Sequence, residues 1–328
     1  MNDVVIVGAG ISGLSCARVL HDKGLRVLIF EKSHRPGGRC SSKETSIGFF
    51  NHGAQYFTAR KTEFVKVVTE LCKKKVVREI GTPVMRLSKN GEIIPLENES
   101  RFVGYPCMEA IPREISKELP ISYSSKVIGV TRKSDSWEVN VLRNNLESTV
   151  YSKNLVLAVP VEQALELYGS SLVQEKVSEI KMEPCWALML GFKNSVSFSC
   201  SALMMDEKND QPVSWIMRTF PETEISGIAD KWCLHAGPKW SRKYEKMKKD
   251  MVIDILFQNF KTITGCQHFD FADAKFWRYA SGGRGNNFSF IHEESQKLTV
   301  CGDWANGGRI EGAWISGLDA AITIGRSY

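Results

Sequence analysis

The chain opens on an apolar run, Val4–Val7, in which no polar residue alternates with the apolar ones. This pattern is typical of a parallel strand that is buried on both faces. Helical character follows from Leu14 to Lys23, and Gly24 is well placed to end that helix. A second apolar run, Arg26–Phe30, comes next. The order of strand, helix and strand predicts an α/β unit at the N-terminus.

Comparable patterns predict the remaining elements. The strand-like runs are Ser122–Val130, Asn154–Val159, Cys185–Phe192, Pro212–Met217, Lys231–Ala236 and Leu298–Cys301. Helices are expected over about 241–260 and from the EGAWISG segment to about Ile324, and Ser281–Asn287 is predicted to be a flexible loop.

The turn after the first strand carries Gly8, Gly10 and Gly13 in GxGxxG spacing. The first glycine permits the tight turn, the second lets the backbone approach a pyrophosphate, and the third lets the helix pack on the sheet. The helix N-terminus offers N–H groups to phosphate. Glu31 follows Gly13 by 18 positions, near the distance expected for an acid that binds ribose hydroxyls. These features predict a dinucleotide site, against the alternative of a structural glycine turn.

Composition narrows the class of protein. The 328 residues carry 43 Lys and Arg against 37 Asp and Glu, a net charge of +6, and 43% are hydrophobic. This is typical of a globular chain with two domains, and its dilute positive charge does not indicate a nucleic-acid partner. The basic stretch Arg242–Lys249 is interpreted as a solvated helix face.

No apolar run approaches the roughly 20 residues that span a bilayer, and no basic segment precedes the first strand, so no membrane partner and a cytoplasmic location are expected. The nine cysteines are scattered, at least 15 positions apart, and have no metal-ligand spacing. They predict reduced thiols and no metal site.

Two further motifs point to the kind of dinucleotide. Gly37, Gly38 and Arg39 follow the acid, and this GGR resembles the signature of the flavin-containing amine oxidase superfamily. At the other end, the strand Leu298–Cys301 leads into Gly302, Asp303 and a second GGR at 307–309. A glycine-rich surface turn is the alternative for the first of these loops. Together they favour FAD as the cofactor.

Longer motifs carry a closer resemblance. His52–Arg60 reads HGAQYFTAR, and the chain also contains MEPCWAL, WCLHAGPKWSR, FWRYA and GDW…GGRIEGAWISG. With these motifs the chain resembles the bacterial renalase-type FAD-dependent oxidases of that superfamily. The resemblance implies an α/β, two-domain FAD-binding fold of the p-hydroxybenzoate hydroxylase/amine oxidase type, with a Rossmann-like FAD domain and a mixed-sheet substrate domain. Because the glycine motifs occupy both ends, the FAD domain is expected at 1–70, 106–162 and 293–328, and the substrate domain at 71–105 and 163–292.

The predicted cofactor contacts combine the glycine motifs with residues that the resemblance implies: Gly8, Gly10, Ile11, Ser12, Gly13, Glu31, Lys32, Gly38, Arg39, Gln55, Tyr56, Val127, Asp303, Arg309 and Ile310. The predicted substrate contacts are Tyr56, Phe57, Thr58, Ala59, Arg60, Cys185, Trp186, His235 and Trp304. For His235 and the tryptophans, burial in a core is the alternative. Noncovalent FAD is expected, although Cys40 stands beside the first GGR.

The same resemblance implies the reaction. Renalase-type enzymes oxidise the 2-dihydro and 6-dihydro isomers of NAD(H) and NADP(H) by hydride transfer to flavin N5, and O2 reoxidises the flavin to give H2O2. A dihydropyridine needs no deprotonation before it loses hydride, so no catalytic acid or base is named. The alternatives are an amine or polyamine oxidase of the same superfamily, and a flavin-binding protein without turnover.

Overall fold

Two large β-sheets organise the chain. The computed structural model describes residues 1–81, 83–88, 90–96, 99–205, 212–219, 227–283 and 288–328. The helices are α1 (Ile11–Asp22), α2 (Thr62–Lys73), α3 (Ala110–Ile115), α4 (Val161–Leu167), α5 (Ser171–Val177), α6 (Pro238–Lys243), α7 (Lys249–Thr264) and α8 (Ile310–Ile324). The strands are β1 (Asn2–Val7), β2 (Val27–Phe30), β3 (Lys43–Thr45), β4 (Gly48–Phe50), β5 (Phe57–Thr58), β6 (Val77–Ile80), β7 (Met85–Leu87), β8 (Ile93–Pro95), β9 (Arg101–Gly104), β10 (Ile121–Ser122), β11 (Lys126–Arg132), β12 (Trp137–Arg143), β13 (Leu146–Leu157), β14 (Glu183–Phe192), β15 (Ala202–Met205), β16 (Val213–Thr219), β17 (Asp230–Ala236), β18 (Phe271–Ser281), β19 (Phe290–Glu293) and β20 (Leu298–Cys301).

The first sheet has a parallel centre. β1 pairs in parallel with β2 on one side and with the end of β13 on the other, so that Val4 lies opposite both Val27 and Asn154. β10 extends the sheet beyond β2, and β20 and β19 extend it beyond β13. The first half of β13 also forms an antiparallel ribbon with β12 and β11. The fully apolar β1 is therefore buried because it lies inside the sheet.

The two ends of the chain pack on each other. The hydroxyl of Ser15 in α1 donates to the carbonyl of Trp314 in α8 at 2.9 Å. A Cβ placed on Gly317 would lie 2.1 Å from the Ser12 carbonyl oxygen, so only glycine allows this approach. Together with β20 in the first sheet, this contact joins the two ends of the chain in one α/β unit, as the predicted fold requires.

The second sheet contains seven strands in the order β18-β14-β17-β16-β15-β7-β8. Its long strands alternate between two faces: one face packs on α7, with Leu188 and Leu234 next to Leu256, and the other carries Met189 and Cys233, which pack on Phe50. The second face is turned towards the loop that follows β4. It supplies one wall of the site described below.

The structure corrects several predicted boundaries. The single helix expected over 241–260 is two helices, because the chain turns after Lys243 and the Tyr244 carbonyl accepts a hydrogen bond from the Trp186 indole at 3.0 Å. The run 122–130 is divided between β10 and β11, and β13 begins eight residues before the predicted strand. Residues 284–287 of the predicted loop lie outside the described residues. The domain limits stay a prediction.

Candidate cofactor and substrate site

The GxGxxG turn is shaped by two of its glycines and left open at the third. Gly8 has φ +103°, and a Cβ there would lie 2.6 Å from the Ala158 carbonyl oxygen. A Cβ on Gly13 would lie 2.0 Å from the Gly8 carbonyl oxygen, whereas one on Gly10 would meet no atom within 4 Å. Packing of the chain therefore explains Gly8 and Gly13. The open space over Gly10 is where the backbone can approach a phosphate.

Glu31 lies buried at the end of β2 and holds the turn. One carboxylate oxygen accepts the Ala9 N–H and the other accepts the Ser33 N–H, both at 2.8 Å. A carboxylate has about four acceptor positions, so these two bonds leave capacity for ribose hydroxyls. The Glu31 carbonyl accepts the Ser125 N–H at 2.9 Å, which brings Val127 to the same end of the sheet, and Lys32 is exposed beside them.

The first GGR loop lies directly against this turn. The Gly37 N–H donates to the Ala9 carbonyl at 2.9 Å, and Gly37 and Gly38 have φ of +124° and +53°. A Cβ on Gly38 would lie 3.7 Å from the Gly10 Cα. The structure thus brings together two glycine loops that are separated by a helix and a strand in the sequence.

An ion pair joins this loop to the C-terminal turn. The Arg39 guanidinium makes two bonds to the Asp303 carboxylate, Nη1–Oδ2 at 2.9 Å and Nη2–Oδ1 at 2.5 Å, and Nη1 also donates to the Ala280 carbonyl at 3.2 Å. The Asp303 side chain is only 10% exposed. Both residues are predicted cofactor contacts, and each is the other's partner. This bidentate bond fixes the relative position of two distant segments.

The N-terminus of α8 lies close to the turn that carries Asp303. Its N-cap, Arg309, is exposed and makes no side-chain capping bond, and Ile310 begins the helix. Glu311 in the first turn is buried, and its Oε1 accepts the N–H groups of Arg60 and Lys61, both at 2.6 Å. Sequence reasoning missed Glu311, although the acid stands in the quoted EGAWISG motif. It anchors the loop after β5 to the last helix.

These residues fit an adenine-flavin dinucleotide. The N-cap of α1, Gly10, also makes no side-chain capping bond, so two neighbouring helices present N–H groups at their N-termini. The partial positive charge of such ends favours phosphate and the negative edge of a reduced flavin. Ile11 and Ser12 are buried in the first turn of α1. Cys40 is buried beside the loop, and burial raises the pKa of its thiol to about 12.

The candidate substrate wall contains a chain of side-chain hydrogen bonds. Gln55 Oε1 accepts the Trp215 indole N–H at 3.0 Å, and Gln55 Nε2 lies 3.1 Å from His235 Nε2. An indole nitrogen only donates, so the amide oxygen faces Trp215 and the amide nitrogen faces His235. His235 Nε2 also lies 3.2 Å from the His52 carbonyl oxygen. Burial lowers the pKa of His235 to about 4, which keeps the ring neutral at pH 7.

His52 and Trp277 continue this wall. The Trp277 indole donates to the His52 carbonyl at 3.0 Å, and the two rings meet edge to face with centroids 5.1 Å apart. Burial, with smaller contributions from Lys275 and His235, lowers the pKa of His52 to about 4. The wall thus consists of aromatic rings, an amide and two neutral imidazoles.

Among the predicted substrate contacts at 56–60, the Tyr56 side chain packs on this wall. The Tyr56 ring lies 5.5 Å from that of Trp215. Phe57 and Thr58 are buried in β5, where Phe57 packs on Phe64 and Phe102. Ala59 is half-buried, and the half-exposed Arg60 pairs with Glu99 at 2.5 Å.

Three other predicted substrate residues are placed elsewhere or only beside the wall. Trp186 lies on the opposite face of β14, with its ring 5.0 Å from that of Phe276, because neighbouring residues of a strand point to opposite faces. Trp304 is fully buried and donates to the Val159 carbonyl at 3.1 Å. The structure does not support a substrate contact for either. Cys185 is on the same side as His235, and burial raises its pKa to about 12.

Sequence reasoning missed Trp215, and no local signal marks it. It enters the site because β16 pairs with β17 so that Trp215 lies opposite His235, after a register shift that follows Val213. This register is set by contacts between strands and cannot be seen in either strand alone.

A cleft that encloses about 530 Å³ of space, part of it open to solvent, adjoins the wall. Gln55 and Met217 line its inner side, and Arg78, Arg218 and Lys231 also face it. No aspartate or glutamate is among the described residues that line it.

Within the described ranges, no three His, Cys, Asp or Glu side chains are grouped as a metal site requires. In the same part of the chain, no helix combines the length and apolar character needed to cross a membrane. All nine cysteines are unpaired thiols.

Two family models match the chain. A model described as "Flavin containing amine oxidoreductase" matches residues 85–324, more than half of the chain, and one described as "NAD(P)-binding Rossmann-like domain" matches residues 6–71.

Curated relatives are similar over the N-terminal part. Amine oxidase [flavin-containing] B of Homo sapiens is 36% identical over 70 residues, and putrescine oxidase of Kocuria rosea is 42% identical over 69 residues. Each match covers 21% of this chain and only 14% of the relative's length.

Solved structures are similar over the whole chain. Cyclohexylamine oxidase from Brevibacterium oxydans IH-35A has a TM-score of 0.77 at 12% identity and covers 99% of both chains. A putative protoporphyrinogen oxidase from Exiguobacterium sp. 255-15 has a TM-score of 0.79 at 11% identity, over 100% of this chain and 99% of the other. At these identities the similarity shows the fold.

Proposed function

The chain belongs to the flavin-containing amine oxidoreductase family, whose cofactor is FAD, and from this premise we propose that it is a renalase-type oxidase. Its substrates would be the 2-dihydro and 6-dihydro isomers of NAD(H) and NADP(H), its product NAD(P)+, and O2 the final electron acceptor. The FAD is proposed to be held without a covalent bond, which the buried Cys40 thiol supports.

One observation supports this proposal above the others: the substrate wall is aromatic and uncharged, and cations face the cleft beside it. His52 and His235 are both neutral at pH 7 because burial lowers their pKa values to about 4. A dihydropyridine is a planar ring that gives up hydride without first losing a proton, so it requires stacking and orientation rather than an acid or a base.

The residues of the chain have simple tasks in this reaction. Bound FAD supplies a two-electron acceptor for the hydride, which O2 can reoxidise with formation of H2O2. Tyr56, Trp215 and Trp277 would hold the ring of the substrate, and Gln55, fixed by Trp215 and His235, would orient it. Arg39 and Asp303 hold the loop and the turn on which the cofactor rests.

An amine is the second candidate substrate, because relatives named putrescine oxidase and cyclohexylamine oxidase are similar in sequence or fold. A protonated amine needs a carboxylate or another acceptor to offset its charge. No carboxylate is among the described residues that line the cleft, so none of them offers a protonated amine this partner.

The test is anaerobic mixing of the purified yellow protein with 6-dihydroNAD and, separately, with putrescine and cyclohexylamine. We expect rapid loss of the flavin absorbance near 450 nm with 6-dihydroNAD alone, and NAD+ as the product. Ordinary NADH serves as the matched control, since it differs only in the position of the added hydride.

Three outcomes would contradict the proposal. Bleaching by an amine alone would identify an amine oxidase, and no bleaching by any donor would favour a flavin-binding protein without turnover. Equal rates with NADH and 6-dihydroNAD would show that the pocket does not select the misreduced isomers.

A further inference from the structure

We propose that Glu311 is a positioning residue, which fixes the loop that follows Tyr56 to the helix whose N-terminus is proposed to face the flavin. Its carboxylate joins α8 to the segment that carries part of the substrate wall. This role rests on the proposed function, since Tyr56 is taken there as a substrate contact. Glu311 acts through the loop and is not assigned a contact with substrate.

The contact itself is short and buried. Glu311 lies in the first turn of α8 and is only 9% exposed. Its Oε1 accepts the backbone N–H groups of Arg60 and Lys61, both at 2.6 Å. Bonds from N–H groups to a carboxylate are shorter and stronger than those between neutral groups. One carboxylate oxygen therefore holds two consecutive residues of a loop whose side chains are exposed.

Helix α8 is a firm base for this contact. Gly312, next to Glu311, approaches the preceding turn so closely that a Cβ on it would lie 1.8 Å from the Asn306 carbonyl oxygen. Further along the helix, the Ser15 hydroxyl in α1 donates to the Trp314 carbonyl at 2.9 Å. The N-termini of α1 and α8 are both proposed to bind FAD. A loop that is fastened to Glu311 is thereby fixed relative to the proposed cofactor site.

Apolar packing at the same place brings the segments together but does not orient them. Phe64 in α2 packs on Phe57 and on Trp314, with ring centroids 5.9 and 6.1 Å apart. The strand before the loop, β5, pairs with β9 through only Phe57 and Thr58. Apolar contact has no preferred direction, whereas a hydrogen bond has one. The carboxylate of Glu311 therefore supplies the direction of the chain that packing leaves open.

Three variants and one control separate the position of the loop from charge and from folding. Glu311→Ala removes the acceptor, and Glu311→Gln keeps an amide oxygen in its place. Lys61→Pro removes one donor from the other side and leaves α8 unchanged, at a φ of −75° that proline adopts. Glu63→Ala is the matched control, because Glu63 also lies in the first turn of a helix, at the end of the same loop, but is exposed.

Anaerobic reduction of each holoenzyme is followed against the concentration of 6-dihydroNAD, which separates the dissociation constant from the limiting rate. For Glu311→Ala and Lys61→Pro we expect the dissociation constant to rise about tenfold and the limiting rate to fall less than about threefold, since the rest of the wall is unchanged. Glu311→Gln should restore most of the binding, and Glu63→Ala should behave as the wild type.

Limited trypsin digestion tests the loop without turnover, because Arg60 and Lys61 are themselves trypsin sites. Cleavage requires the chain to open locally, so Glu311→Ala should be cut at these two residues about tenfold faster than the wild type. Glu311→Gln should be cut more slowly than Glu311→Ala. Cleavage after the exposed Lys73, near the end of α2, is the internal control and should not differ among the proteins.

Equal cleavage of the loop in the wild type and Glu311→Ala would overturn the inference. So would a fall in the limiting rate with an unchanged dissociation constant, or a Glu311→Gln enzyme as impaired as Glu311→Ala, because charge rather than the position of the loop would then matter. If Glu311→Ala is purified unfolded or without FAD, Lys61→Pro decides.

Absence of reduction of the wild type by 6-dihydroNAD would refute the proposed function instead. The rates of trypsin cleavage in the wild type, Glu311→Ala and Glu311→Gln would then still decide whether Glu311 holds the loop.

Discussion

The proposed cofactor cradle and the proposed substrate wall are built in different ways. The cradle consists of backbone: glycines at 8, 10, 13, 37 and 38, and the N-termini of α1 and α8, fastened by Arg39 and Asp303. The wall consists of side chains from β16, β17, β18 and the loop after β4, joined through Gln55 and His52. Gly8 and Gly13 tolerate few substitutions because backbone atoms already occupy the space around them. A wall of side chains can change its substrate while the fold persists.

The largest effect is expected where an added methyl group meets the backbone. Gly13→Ala places Cβ 2.0 Å from the Gly8 carbonyl oxygen, so α1 must move away from the first sheet. We expect a loss of about 3 kcal/mol in the free energy of unfolding and protein that is purified without FAD. Gly129→Ala, whose Cβ would meet no atom within 4 Å, is the control for urea unfolding and flavin content. A yellow, stable Gly13→Ala protein would show that the cradle does not depend on this contact.

Gly10→Ala separates binding from folding. Its Cβ meets no atom of the chain within 4 Å, so stability of the apoprotein should match that of Gly129→Ala. The methyl group enters the space that we assign to phosphate, and the dissociation constant of FAD should rise about tenfold or more. Fluorescence titration of the apoprotein with FAD measures it, and an unchanged constant would place the phosphates elsewhere.

The bond between Arg39 and Asp303 should be worth about 2 kcal/mol, because it is bidentate and the carboxylate is largely buried. A double-mutant cycle with Arg39→Met and Asp303→Asn in urea unfolding measures this coupling. The exposed pair Lys73–Glu70 is the control, with an expected coupling of about 0.5 kcal/mol or less. Equal couplings in the two cycles would contradict the fastening role.

Because the two histidines of the wall are buried in their neutral form, the folded protein should become less stable in acid. Both His52 and His235 have pKa values lowered to about 4, against about 6.5 in an unfolded chain, so the unfolded state binds more protons as the pH falls. The contribution of the two neutral histidines to the free energy of unfolding is therefore fully present above about pH 6.5. It is lost as the pH falls towards 4, by up to about 1.4 kcal/mol per pH unit for each histidine. Urea unfolding between pH 7 and pH 4 checks this slope, and His235→Gln should reduce it.

The smallest effect distinguishes the two faces of the second sheet. Trp186→Phe removes the indole bond to the Tyr244 carbonyl and should cost about 1 kcal/mol in stability without changing the rate of flavin reduction. Trp215→Phe releases Gln55, and reduction by 6-dihydroNAD should become severalfold slower at similar stability. The reverse result, with a slower Trp186→Phe enzyme, would restore Trp186 to the substrate site.

The sequence by itself determined the fold class and predicted the residues of the proposed cradle. The strand Val4–Val7, the glycine turn, the helix and Glu31 lie within about thirty residues, where local geometry dictates each residue type. The second GGR motif predicted that the C-terminal segment packs on the N-terminal domain. The acid Glu311 was visible but had no signal of its own, because its partners are the backbone N–H groups of Arg60 and Lys61, 250 residues away.

Only the tertiary structure decided the substrate wall. Trp186 and Cys185 are neighbours in the sequence, yet the alternation of β14 sends one to the core beside α7 and the other to the wall. Trp215 reaches Gln55 because of a strand register, and Arg78 and Lys231 share a cleft because two sheets meet there. The face of a sheet on which a side chain lies depends on which strands pair and in what register. Those pairings are set by long-range packing, which no local sequence pattern records.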